Sequence, residues 1–222
     1  MKKRFFKPYV GSKYDEGIHR KKILVIGASF PCELESCPFY TECTDEEKMD
    51  SSKYDEICPY YKESGKKLSE EPSNAMSDGA DAYNVFGRFL ADYLVDKEKE
   101  NALDYIAFTN FIQFFIPHRY TYGNNPTQRD FDAFMESVEE LDPDLIIVWG
   151  TIVNSYLRER NPYVFDIEMI KETDWYLCHM KNPSNGKIIP IINPYHPMSR
   201  QHWYNNIGTF KKYFEMVLNE IE

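Results

Sequence analysis

Four short apolar runs punctuate the chain, each closing on a glycine or a polar turn: KILVIG (22–27), DYIAFTN (104–110), DLIIVWG (144–150) and KIIPIIN (187–193). Runs of this kind, without apolar–polar alternation, predict strands covered on both faces, as in a parallel sheet between helices. Stretches of helical period separate them. The segment 77–100 has Ser77 or Asp78 as its cap and an apolar stripe at Val85, Phe89, Leu90 and Leu94. The segment 127–141 opens at Thr127 after a proline and places Phe131, Phe134, Met135 and Val138 on one face. Residues 151–160 start a helix directly after Gly150, and 207–221 turns Phe210, Tyr213, Phe214, Val217 and Leu218 inward. The alternation predicts a three-layer α/β/α fold around a mostly parallel four-stranded sheet. A single domain over residues 1–222 is expected.

Two segments break the rhythm. Residues 31–76 hold four cysteines and many charges, and form a long insertion between the first strand and the first long helix. Residues 117–127, PHRYTYGNNPT, are a polar, aromatic loop after the second strand, with His118 beside Arg119. In an open α/β sheet, loops at the carboxyl ends of strands build the ligand crevice. Ser29, Asn110, His118 and His196 all fall in such positions.

Composition narrows the class. A hydrophobic fraction of 42% is ordinary for a water-soluble chain, and no apolar run approaches the roughly 20 residues of a membrane span. The opening MKKRFF lacks the apolar core of a signal peptide, and five cysteines are an odd number, so a cytoplasmic protein without a disulfide framework is expected, with no membrane partner. The net charge of -10 argues against unspecific grip on a polyanion. The acid is uneven, however. Residues 179–212 carry Lys, Arg and His with almost no carboxylate, and such an edge can meet phosphate.

Chemistry gathers in the turns. After the fourth strand, NPYHPMSRQHW braces His196 between Pro194 and Pro197. An imidazole so placed donates a hydrogen bond to an oxygen on which negative charge grows. Read in order, GASFP after the first strand, TNFIQFFIP after the second, IIVWGTIV on the third and HPMS after the fourth resemble the uracil-DNA glycosylase superfamily. The opening KPYVGSKYDEG looks like the leader of an uncharacterised bacterial branch of it, and the resemblance runs from about residue 8 to 215.

That resemblance implies specific roles. His196 matches the histidine that stabilises the departing base, and Asn110 the asparagine that reads the edge of the flipped base. Gly27, Ala28 and Ser29 form the turn facing the glycosidic bond, with Ser29 holding water. Ser199, Arg200 and Gln201 approach the phosphate backbone or the gap left by flipping. The stacking face falls to Phe30, Phe111 or Phe114. DNA or another nucleobase-containing ligand is the implied partner, and hydrolysis of an N-glycosidic bond in DNA repair the implied activity. The sequence departs from the pattern at Ala28-Ser29, where active families carry Asp, Asn or Glu. Losing one preorganised electrostatic contact costs about 3–4 kcal/mol in a barrier, so a catalytically silent nucleobase- or nucleotide-binding module is the alternative.

The cysteines Cys32, Cys37, Cys43 and Cys58 are spaced C-x4-C-x5-C-x14-C. Four thiols at this density suit zinc or an iron–sulfur cluster, or else are free or transiently paired thiols. A metal-stapled interaction protein, docking through this loop, is therefore a third reading. Cys178 is expected to be a buried small hydrophobe.

Overall fold

The computed structural model describes residues 4–32, 58, 66–79, 81–96, 100–117, 126–160, 162–170 and 176–220, with Arg200 and Glu220 described by their backbone alone. The strands are β1 (Tyr9–Val10), β2 (Ile23–Gly27), β3 (Phe30–Cys32), β4 (Ile106–Asn110), β5 (Phe115–Pro117), β6 (Leu145–Val148), β7 (Val164–Met169), β8 (Tyr176–Lys181) and β9 (Ile188–Ile192). The helices are α1 (Glu71–Ser77), α2 (Asp81–Ala91), α3 (Gln128–Leu141), α4 (Thr151–Arg158) and α5 (Arg200–Glu220).

Among the described residues, seven strands form one mixed sheet in the order β1-β4-β2-β6-β9-β8-β7. The expected four-stranded, mostly parallel sheet is thereby corrected. The four apolar runs are its parallel centre, β4-β2-β6-β9. β1 adds antiparallel at one edge, and β8 and β7 add antiparallel at the other. The added strands escape a search for unbroken apolar runs because they are short or polar. β7 reads VFDIEM and is mostly exposed, and β1 has two residues. The α/β class itself holds.

Helices pack on both faces of the centre. One face carries Ile23, Val25, Ile106, Phe108, Leu145 and Ile147 against Phe86 of α2 and Phe210 and Phe214 of α5. The other carries Leu24, Ile26, Ala107, Ile146 and Val148 against Phe134 and Val138 of α3 and Val153 and Leu157 of α4. Successive strand residues alternate between the two clusters, as the period of two requires. α3 starts at Thr127 with a reciprocal capping box to Asp130. The helix expected over 77–100 is shorter, α2 at Asp81–Ala91, because the chain leaves α1 through Gly79 at φ 66, a left-handed conformation that suits glycine, and residues 92–96 are turn and bend. Ser77 thus ends α1 rather than capping a helix start. α5 opens at Arg200, seven residues before the expected start, so it follows the His196 turn directly. No helix of the described residues is long and apolar enough to cross a membrane.

Candidate functional site

The parallel centre delivers four turns to one edge of the sheet, and backbone hydrogen bonds tie each to its neighbour. Gly27 ends β2 in register with Asn110 at the end of β4. Beyond them, Phe111 N–H donates to the Gly27 carbonyl (2.9 Å) and Ile112 N–H to that of Ala28 (3.0 Å). The two chains stay parallel as far as β3 and β5, where Phe30 pairs with Phe115. Trp149 N–H donates to Ile26 (2.9 Å), and Gly150 N–H to Pro194 (3.1 Å). The turns after β4, β2, β6 and β9 are therefore contiguous.

Asn110 is 3% exposed, and its side chain lies over the Cα of Gly27. A Cβ at position 27 would overlap the Asn110 Oδ1 and come within 3.1 Å of Phe108 Cζ. Glycine is what lets the amide cross the strand here. Backbone support comes from Gln113, whose Nε2 donates to the Asn110 carbonyl (2.7 Å). Gln113 Oε1 accepts from the N–H groups of Phe5 and Phe6 (3.0 Å each), and its own N–H donates to Asp130 Oδ1 (2.7 Å). The N-terminal arm, the Asn110 turn and the start of α3 are thus one polar network, fully inside. No hydrogen bond among the described residues engages the Asn110 amide itself.

The histidine side is built from β6 and β9. Asn193 Nδ2 donates to the carbonyls of Val148 (2.7 Å) and Gly150 (2.6 Å). Gly150 adopts φ 83, ψ 177, a region only glycine enters readily. His196 lies against it, its Cβ 4.0 Å from where a Cβ on Gly150 would stand. The His196 ring meets the Trp149 indole edge-on at 5.5 Å. Its Nδ1 accepts from Met198 N–H (3.1 Å), so Nδ1 keeps its lone pair and the neutral ring carries its proton on Nε2. Burial holds the imidazole below its ordinary pKa, favouring that neutral form. The ring is a donor at neutral pH.

Between the two sides stands an aromatic wall. Trp149 packs on Phe108 (5.5 Å) and Tyr83 (5.8 Å), and Tyr83 on Phe108 (5.0 Å). Burial, and then the Glu71 carboxylate, push the Tyr83 hydroxyl above its ordinary pKa, so it too stays protonated. Gly27, Asn110, Trp149 and His196 therefore share the face covered by α2 and α5. A search against family models and a search of curated proteins each found no match.

The sequence-derived residues divide as follows. Gly27, Ala28, Ser29 and Asn110 come together in one turn pair, with Ala28 and Ser29 half-buried. His196 joins them through Trp149 and Phe108. Ser199 N–H donates to the His196 carbonyl (2.8 Å), and its own carbonyl accepts from Trp203 N–H (2.7 Å), so Ser199 leads into α5. Arg200 is the first residue of that helix. Phe111 lies on the other side of the sheet, 1% exposed between Phe134 and Tyr156, with no free ring face to offer a base. Phe30 is 6% exposed against Phe6 and Phe115, and Phe114 is buried in the same cluster. These three phenylalanines are core.

His118, Cys37 and Cys43 lie outside the described residues. Cys32 ends β3, and Cys58 packs with it against the same apolar cluster. Among the described residues, no group of three or more His, Cys, Asp or Glu side chains is placed to hold a metal ion. Cys178 is a buried thiol pushed up to about 12 by desolvation, as an inert core residue should be.

Tyr83, Trp149, Asn193 and Gln113 are the participants that sequence reasoning missed. Asn193 had a signal, an amide directly before proline at a strand end. Trp149 had one as well, a large ring just before the helix-opening glycine. Tyr83 and Gln113 had none, since only the packing of α2 and of the N-terminal arm brings them in.

Proposed function

We propose that the protein is a uracil-DNA glycosylase-like domain that takes a nucleobase of a nucleic acid into the crevice at the Asn110 and His196 turns. One observation carries the reading. Two side chains suited to a planar heterocycle, the Asn110 amide and the His196 Nε2–H, stand on one face of the sheet at its carboxyl edge, joined by the Trp149–Phe108 wall. An amide offers a paired donor and acceptor to a base edge, and the neutral imidazole donates to a base oxygen. In this reading Asn110 selects the base, His196 stabilises it as negative charge develops on departure, and Ser29 with the Gly27–Ala28 backbone holds the attacking water. The chemistry is hydrolysis of the N-glycosidic bond: the water oxygen bonds to the sugar carbon as the base leaves with the bonding electron pair, and the proton the water loses ends on the departed base.

The turn Gly27–Pro31 contains no carboxylate. That favours, as a second reading, a module that binds the nucleobase without cleaving it. The experiment is alkali-induced nicking of single- and double-stranded oligonucleotides carrying uracil or hypoxanthine, read beside binding, for wild type and His196→Ala. Cleavage lost in the variant supports the enzyme. Binding without cleavage, weakened in the variant, supports the silent module, and neither binding nor cleavage by wild type refutes both. A zinc or iron–sulfur centre at Cys32, Cys37, Cys43 and Cys58 belongs to this proposal as a structural staple, since thiolates are its natural donors.

A further inference from the structure

A cleft of about 460 Å³ opens directly behind the His196 turn. One wall is a single face of α2, with Asp81, Asn84, Val85 and Arg88 at the i, i+3, i+4 and i+7 spacing that aligns side chains along a helix. The opposite wall is Pro197 and Met198 of the histidine turn and Tyr204 of α5. Met198 is 44% and Tyr204 59% exposed, although both are large and apolar in body. Arg88 is exposed and makes no hydrogen bond or ion pair among the described residues.

The cleft is chemically polarised. Asp81 and Arg88 are seven positions apart, which at the helical rise is about 10.5 Å. A carboxylate stands at one end, an amide in the middle and a guanidinium at the other end, along an apolar and aromatic flank. A nucleoside monophosphate has the same order of groups over a similar length. Its base offers N–H groups and a flat face, and its phosphate offers paired oxygens that suit a guanidinium. The volume falls within the range of small-ligand sites.

We propose that this cleft binds one nucleoside monophosphate unit, with the phosphate on Arg88, the base against Tyr204 and Met198, and the base N–H groups toward Asn84 and Asp81. The inference rests on the nucleobase reading of the adjacent crevice and deepens it. A strand whose extruded base occupies the Asn110–His196 crevice would lay its neighbouring unit here. Met198 belongs to both places, because its backbone N–H fixes His196 Nδ1 while its side chain lines the cleft.

The same chemistry is found in a free nucleotide and in a strand. The test therefore uses a labelled single-stranded oligonucleotide, read by fluorescence anisotropy, and uridine and adenosine monophosphate, read by equilibrium dialysis. The full chain is compared as wild type, Arg88→Ala, Tyr204→Ala and His196→Ala. The two cleft residues are exposed, so their variants are expected to melt with wild type. Each should weaken binding about tenfold, through a lost charge-assisted bond or a lost stacking face. Arg88→Ala should also reduce the slope of log affinity against log salt by about 0.7 for the strand. Binding of the strand alone places the unit within a polymer, and binding of the monophosphates as well extends the site to free nucleotides. Wild-type affinity in both cleft variants, with His196→Ala impaired, overturns the cleft and leaves the crevice reading standing. Loss in the cleft variants with His196→Ala unaffected supports the cleft and counts against the crevice. No binding of any probe by wild type overturns both.

Discussion

Gly27 and Asn110 constrain each other, and the consequence is measurable. Gly27→Ala puts a methyl group where the Asn110 amide lies and where Phe108 closes in at 3.1 Å. The amide must turn away inside a packed layer, at an expected cost of about 1–3 kcal/mol in denaturant unfolding. Base binding should weaken with it, and an unchanged midpoint together with unchanged binding would contradict the geometry. Asn193 ties the ends of β6 and β9 together through its Nδ2. Asn193→Ala removes both bonds from Nδ2 and leaves the Val148 and Gly150 carbonyls unpaired there, a loss of about 2–3 kcal/mol. His196 adds a pH dependence. Its folded pKa is depressed, so the unfolded chain binds the proton more readily. Stability is complete above the unfolded value of about 6.5 and falls as the pH drops through it toward the folded value. Denaturant melts at pH 8 and pH 5 should therefore show wild type losing ground to His196→Gln in acid. A constant difference between the two would rule this out. At this scale the sequence spoke where a residue stands in a turn, as Asn110 and His196 do. It was silent for Tyr83 and Gln113, whose roles exist only once distant segments pack.

The second and fourth turns depend on how their elements are held. Gln113 joins the N-terminal arm to the Asn110 turn by accepting from two buried N–H groups. Gln113→Leu strands both donors and should cost roughly 2–4 kcal/mol. Hydrogen exchange at Phe5 and Phe6 should accelerate well before that of β2. Equal exchange rates in variant and wild type would show that the arm is held by its phenylalanines instead. Of the elements themselves, β2, β4, β6 and β9 were legible because strands buried on both faces must be apolar throughout. β7, the edge strand, reads VFDIEM, and β8 beside it reads YLCHMK; polar residues interrupt both, so neither stands out as an apolar run. The helix expected over 77–100 starts late, at Asp81, for a local reason. An apolar stripe gives no warning of Gly79, where the chain turns left-handed between α1 and α2.

For the whole molecule, the arrangement joins an acidic chain to a carboxylate-free stretch over residues 179–212, and Cys32 ends β3 just beyond the Ser29 turn. If the four thiols hold a metal, anaerobically purified protein should contain about one equivalent of zinc, or a bleachable iron–sulfur absorbance, and a Cys32→Ser, Cys58→Ser double variant should lose it. Metal-free wild-type protein that melts normally would remove the staple. The central claim is that the Asn110 and His196 turns take hold of one base together. Nitrogen-edited NMR of the Asn110 side-chain amide and the His196 Nε2–H, during titration with a uracil-containing single strand, tests this most directly. Both signals should shift along one binding curve, while the buried Asn154 amide on the far side of the sheet stays still. Movement of neither signal, or of only one of them, in a titration that reaches saturation would contradict the account.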